Sequence, residues 1–221
     1  MATVKTIAII GATGNMGSAI AKSLSKKGNY RLLLMSNEQD KLVDLKTQIE
    51  KSSRSTEVFA ISCAREASWE ADIIIVATPY EAEKEVAEKI REVATGKIVI
   101  SISNPLNSAY SELVTSTDTS AAEELQKLLP NSKVVKTFNT TFAADFLSPI
   151  IDGKTADAFI AGNNGEAVEM VSEIVATAGF NPIVAGDLSV SRTLERMQLL
   201  LIQLTMKNNY NWLAGWKILH N

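Results

Sequence analysis

The segment Gly11-Ala12-Thr13-Gly14-Asn15-Met16-Gly17 carries the clearest chemistry in the chain. It stands directly after an apolar run and directly before a stretch with helical periodicity. Glycines at G-x-x-G-x-x-G spacing let the backbone approach a pyrophosphate, and the helix start supplies free N–H groups and the positive end of its dipole. A plain tight turn would also use glycines, but the strand–turn–helix setting is what a nucleotide loop requires. The tip of the second strand then separates the two nicotinamide cofactors. An NAD site places Asp or Glu there to accept from the ribose 2′-hydroxyl. This chain reads Met35-Ser36-Asn37, with Glu38 and Asp40 following at the start of the next helix. The Ser36 hydroxyl, the Asn37 amide and the Lys41 cation suit a 2′-phosphate, Lys41 lying on the Asn37 face of the helix as a point charge. A helix cap beside a solvated lysine is the competing reading. NADP(H) is the expected cofactor.

Composition removes other chemistries. One cysteine, Cys63, and one histidine, His220, leave no disulfide framework and no Cys/His zinc site, and a Ser-His-Asp triad would rest on His220 alone. A net charge of −3 argues against nucleic-acid binding. The apolar start runs straight into the glycine turn, unlike a signal peptide, and Met197–Met206 is too short and too polar to span a bilayer, so a cytoplasmic protein is expected. Tyr80 and Lys84 match a Tyr-x-x-x-Lys acid/base pair, but they follow the fourth strand where the fifth is needed.

The elements that would position the loop alternate between β-branched runs and amphipathic helices. Strands are expected at Thr6–Ile10, Arg31–Met35, Val58–Ser62, Asp72–Ala77, Lys97–Ile102 and Lys133–Thr137. Helices are expected at Asn15–Lys27 (stopped by Gly28), Asn37–Lys51, Tyr80–Ala94 and Thr119–Leu129. Later, strands Ala158–Ala161 and Pro182–Val184 flank a helix at Glu166–Ala178, and Leu188–Leu219 reads as helix, with a break near Asn208–Asn211. Ser101–Ser120 is the longest loop. The pattern predicts an α/β fold of the Rossmann type: a doubly wound, mostly parallel sheet with helices on both faces and a C-terminal helical tail. Residues 1–145 form the expected dinucleotide-binding domain, and 146–221 a smaller extension completing the cleft and a dimer contact. Phe138, Phe142, Trp69, Trp212 and Trp216 are read as packing residues.

Together with Ala77-Thr78-Pro79, Ile102-Ser103-Asn104-Pro105, Lys133-Val134-Val135-Lys136-Thr137-Phe138-Asn139-Thr140 and Gly186–Arg192, these motifs make the chain resemble a known family. It is similar to the NADP-dependent oxidoreductases of the 8-hydroxy-5-deazaflavin coenzyme (F-420) and to the nucleotide-binding domain of the six-transmembrane metalloreductases. The resemblance implies that Gly11, Thr13, Gly14, Asn15, Met16 and Gly17 hold the pyrophosphate and that Ser36, Asn37 and Lys41 hold the 2′-phosphate. Thr78, Pro79, Ser103 and Asn104 would shape the ribose and ring pocket, with Asn139, Thr140 and Ala143 on the acceptor side. Asn37 replaces the family's usual Arg, which weakens the case for strict 2′-phosphate selectivity. Asn139-Thr140-Thr141-Phe142-Ala143 replaces His-Thr-x-Pro-Ala, closer to the metalloreductase branch.

The expected function is hydride transfer between NADPH and FMN, FAD or a deazaflavin, a small-molecule acceptor served by ring positioning without a catalytic side chain. The expected assembly is a homodimer, with no metal, nucleic acid or membrane partner. An imine or ketone reductase of the pyrroline-carboxylate reductase kind and a non-catalytic NADP(H) sensor are the alternatives.

Overall fold

A computed structural model describes residues 4–27, 29–53 and 56–220; Gly28, the expected helix stop, and the first three residues lie outside them. The chain runs β1 (Lys5–Ile10), α1 (Asn15–Lys27), β2 (Tyr30–Met35), α2 (Gln39–Ser52), β3 (Val58–Ile61), α3 (Ala64–Glu70), β4 (Ile73–Val76), α4 (Tyr80–Ile90), β5 (Ile98–Ser101), α5 (Ala121–Leu128) and β6 (Lys133–Lys136). Then come β7 (Ile150–Ile151), β8 (Lys154–Thr155), β9 (Asp157–Gly162), α6 (Gly165–Thr177), β10 (Asn181–Gly186) and α7 (Ser191–Asn208). One sheet has the order β10-β9-β6-β5-β4-β1-β2-β3. The first six strands are parallel, β9 runs antiparallel to β6, and β10 is parallel to β9. The Rossmann-type α/β fold is thus present.

Burial on both faces explains why β1 and β4 are unbroken apolar runs. Ile7, Ile9, Ile73 and Ile75 face one core, built with Ile20 and Leu24 of α1 and Leu42 of α2. Ala8, Ile10, Ile74 and Val76 face the other, with Val86 of α4 and Leu125 of α5. Each enclosed Ile or Leu contributes about 2 kcal/mol.

Several expectations are corrected. Helix α2 starts at Gln39, so Asn37 is not helical and does not share a helical face with Lys41. Helix α3 was not foreseen. It has seven residues and buries small side chains, Ala64, Ala67 and Ser68, which leave no periodic apolar signal. Helix α5 starts late because Ser120 caps it, its hydroxyl accepting from the Glu123 N–H at 3.2 Å. The β7–β8 hairpin turns through Asp152 and Gly153, both at positive φ, an Asp-Gly signal left unread. The tail is not helical to Leu219: a 3-10 turn at Leu188–Val190 leads into α7, which ends at left-handed Asn209. Trp69 is 69% exposed and does not pack. Trp212 meets the Phe142 ring edge-on at 5.4 Å, and Phe138 and Phe142 are buried. Among the described residues no helix is long and apolar enough to cross a membrane.

Residues 209–220 return to the start of β9, where Trp216 bridges to Asp157. This fully buried carboxylate accepts from Lys217 Nζ (2.7 Å), Asn181 Nδ2 (2.7 Å) and the Ile218 N–H (2.6 Å), while its own N–H donates to the Trp216 carbonyl. Replacing Asp157 with Ala should cost about 2 kcal/mol in urea unfolding. It should also make the Lys217 peptide bond an early trypsin site; unchanged cleavage would contradict the clamp.

Candidate functional site

The site begins where β1 ends. Gly11 adopts φ +87°, and a Cβ there would stand 2.6 Å from the Ala77 carbonyl oxygen. Only glycine permits the glycine loop to lie this close to the β4–α4 turn. The Gly11 and Ala12 N–H groups both donate to the Met35 carbonyl at 2.9 Å, tying the loop to the β2 tip. Helix α1 then opens without an acidic residue in its first turn, leaving the positive end of its dipole unopposed by a local carboxylate.

Between the C-terminal ends of β1, β2 and β4 lies a cleft of about 410 Å³. Gly11, Thr13, Gly14, Ser36, Asn37, Thr78 and Pro79 all line it, so these seven sequence-derived candidates are brought together. The strand order 3-2-1-4-5-6 reverses direction between β1 and β4, where open α/β sheets bind ligands. The Thr13 and Ser36 hydroxyls lie 2.6 Å apart. Thr78 Oγ1 is buried and lacks a protein partner, so a donor or acceptor aimed at this cleft has a group waiting for it. Glu38, Glu85 and Lys89 also line the cleft. Lys89 and Glu85 escaped the sequence reading because they sit on the solvated face of α4 as an i,i+4 pair. Lys41 is not in the lining: its Nζ donates to Glu38 Oε1 at 2.5 Å. Asn15, Met16 and Gly17 form the first turn of α1 and are not in the lining. Tyr80 and Lys84 line a different cavity, between α4 and α5, where the Tyr80 hydroxyl donates to Glu124 Oε2. Burial, then that carboxylate, raise the Tyr80 pKa well above its ordinary value.

The remaining candidates form the ends of β5 and β6. Asn104 Nδ2 donates to the Asn139 carbonyl and Asn139 Nδ2 donates back to Asn104 Oδ1, both at 2.9 Å. Asn139 and Thr140 are buried, Ala143 half-buried, and none of them lines the cleft. The chain reaches this arrangement through Phe138, a bulky residue at φ +57°, whose ring is locked against Phe146 and Phe180.

Beneath this platform sits a charge the sequence reading passed over. Lys136 is fully buried on β6; its Nζ donates to the Ser103 carbonyl at 2.6 Å and to Glu195 Oε1 at 2.7 Å. Glu195, also fully buried, accepts from the Ala121 N–H at the start of α5. A lysine following the buried pair Val134-Val135 was the available signal. Glu83 of α4 lies against this pair with one oxygen unpartnered. One ammonium neutralises one carboxylate, so burial pushes the Glu83 pKa up to about 7, opposed by Lys136. Burial likewise raises Asp145, whose carboxylate accepts from the Phe142 N–H, to about 6.

Residues 6–105 match a family described as NADP oxidoreductase, coenzyme F420-dependent. The F420-dependent NADP reductase of Methanocaldococcus jannaschii is 31% identical over 209 residues, 91% of this chain and 92% of that protein. Human metalloreductase STEAP2 is 35% identical over 117 residues, which are 52% of this chain and 22% of that one. A chain from Arthrobacter sp. FB24, solved as a candidate F420-dependent NADP reductase, shares the fold with a TM-score of 0.82. It is 23% identical, and the match covers 97% of this chain and 99% of that one.

Two outcomes test the buried cluster. Lys136→Met strands Glu195 and should cost about 3–5 kcal/mol in urea unfolding. For Glu83, an acid whose folded pKa is raised from 4.5 to about 7 contributes its full stability below pH 4.5 and loses it as pH rises through about 7. Wild-type stability should therefore fall across that interval by a few kcal/mol, and Glu83→Gln should reduce the fall to the part, complete by about pH 6, that Asp145 contributes. A fall of equal size in Glu83→Gln would locate the titrating group elsewhere.

Proposed function

Because the chain belongs to the coenzyme F420-dependent NADP oxidoreductase family, we propose that it moves hydride between NADP(H) and a deazaflavin, with FMN and FAD as poorer acceptors. The observation that carries this reading is the cleft at the β1–β4 crossover. It combines a glycine cradle that a Cβ would fill, a hydroxyl pair at the β2 tip and the orphaned Thr78 Oγ1. These groups fit a dinucleotide phosphate and ribose chain.

The bound nicotinamide supplies the hydride, and the protein's task is placement. Gly11, Thr13 and Gly14, with the first-turn N–H groups of Asn15, Met16 and Gly17, hold the pyrophosphate. Ser36, Asn37 and Lys41 take the 2′-phosphate, while Thr78 and Pro79 border the ribose. Asn104 and Asn139 act through their mutual bonds, with Ser103 held by Lys136 and Thr140 buried beside them, fixing the shape of the platform on which Ala143 meets the acceptor. Stacking two rings at near-attack distance supplies the acceleration without a side-chain acid or base. In this reading residues 1–145 carry the nucleotide and 146–221 complete the acceptor end. Leu200, Leu204 and Met206, exposed along α7, with Trp212 and Leu213 after it, offer an apolar homodimer face. The compartment is the cytoplasm, where Cys63 stays a thiol.

Steady-state oxidation of NADPH should be fastest with a deazaflavin and slower with FMN or FAD. Gly11→Ala should weaken NADPH binding at least tenfold, about 1.4 kcal/mol, because the added methyl collides with Ala77. No oxidation with any of the three acceptors would overturn the assignment. Light scattering at micromolar protein should give twice the chain mass; a monomer would remove the homodimer.

A further inference from the structure

Lys41, the one cation expected to grip a 2′-phosphate, is already engaged by a carboxylate of the chain itself, and so is Thr13 of the glycine loop. Glu38 stands at the N-terminal boundary of α2, where a short side chain such as Asp or Ser would accept from the helix's own N–H groups. It makes no such bond. Its carboxylate instead reaches the glycine loop: Thr13 Oγ1 donates to Oε2 at 3.2 Å and Lys41 Nζ donates to Oε1 at 2.5 Å. The Glu38 N–H donates to Ser36 Oγ at 3.1 Å, and the Ser36 and Thr13 hydroxyls are 2.6 Å apart. A single donor order satisfies this ring: Glu38 N–H to Ser36, Ser36 to Thr13, Thr13 to the Glu38 carboxylate.

We propose that Glu38 is the residue that sets cofactor choice, an internal anion competing with the 2′-phosphate of NADP(H) for Lys41, anchored beside it by Thr13, while remaining able to accept from the 2′-hydroxyl of NAD(H). The proposal rests on the cleft being the dinucleotide site. A phosphate dianion entering here meets a carboxylate, and the two repel. A free ribose hydroxyl meets an acceptor. Asn37 adds no charge beside it, and across the cleft Lys89 is held by Glu85 at 2.6 Å, so both cations at this end face their own carboxylates. These are exposed pairs, with Lys41 and Glu38 side chains 67% and 54% accessible, and such pairs are weak enough to part when a ligand arrives. The Lys41 and Thr13 bonds hold the Glu38 carboxyl below its ordinary pKa, so it is ionised at neutral pH. The chain should accordingly accept both nucleotides, with NADPH favoured less than Lys41 and Ser36 alone would give.

The test is the dissociation constants of NADPH and NADH, read from the fluorescence of bound nucleotide, for wild type, Glu38→Gln and Glu38→Ala. Both variants should tighten NADPH about tenfold and loosen NADH several-fold, with the NADPH gain shrinking as salt is raised. If wild type binds both nucleotides, Gly11→Ala weakens binding at least tenfold, and the NADPH/NADH ratio is the same in wild type and both Glu38 variants, the cleft stands and Glu38 has no part in choice. If folded wild type and both variants bind neither nucleotide, the cleft reading itself falls and this proposal with it.

Discussion

A charged ammonium enclosed in the core must be met by acceptors from whatever surrounds it, and Lys136 recruits three separate segments to do so. Its partners are the Ser103 carbonyl after β5 and the Glu195 carboxylate on α7, and Glu195 in turn takes the first N–H of α5. One turn earlier on α7, Arg192 forks onto both oxygens of Glu123, also on α5. The burial of a single charge therefore fixes the exit of β5, the start of α5 and the bearing of α7 relative to β6. Asn104 and Asn139, one residue beyond Ser103 and three beyond Lys136, inherit their mutual geometry from that constraint. Loss of one partner in such a set leaves the others uncompensated, which is why buried ionic clusters tolerate little change.

The two ends of the molecule's upper edge differ in kind. At the β2 tip, the side chains of Thr13, Ser36, Glu38 and Lys41 are already bonded to one another, so a ligand must exchange bonds with them. At the ends of β5 and β6, the hydroxyls of Ser101, Ser103, Thr137 and Thr140 are buried without protein partners. Unsatisfied groups in such number, each costing about 1–3 kcal/mol, are tolerated where the structure is specialised. The nucleotide end is internally satisfied, and the other end holds its polar groups enclosed and unmet.

Much of this was legible in the sequence, for identifiable reasons. Strands β1 and β4 declared themselves because covering both faces leaves no polar position in Ile73-Ile74-Ile75-Val76. The glycine loop was readable because its close approach to Ala77 excludes any side chain at Gly11. What stayed hidden depended on partners distant in sequence. Lys136 meets Glu195, 59 positions away, and no local pattern announces that. Helix α3 packs alanines, which carry no amphipathic stripe, and the tail beyond Asn209 is ordered by Asp157 instead of by helical propensity. Lys41 stands near the β2 tip, but Glu38 is one of several partners its spacing allows, and only the fold selects it.

The junction between β6 and β9 has a mechanical consequence. Only Val135 with Gly162 and Lys136 with Ala161 pair across it, in a sheet whose first two strands share six registered positions. Four residues of β9, from Asp157 onward, project past the end of β6, about 13 Å at strand rise. The sheet is in effect two plates joined by a two-rung seam, with side chains stapling across what the backbone ladder leaves open. Under tension the seam is the natural line of parting, and the Lys136–Glu195 staple lies directly beside it.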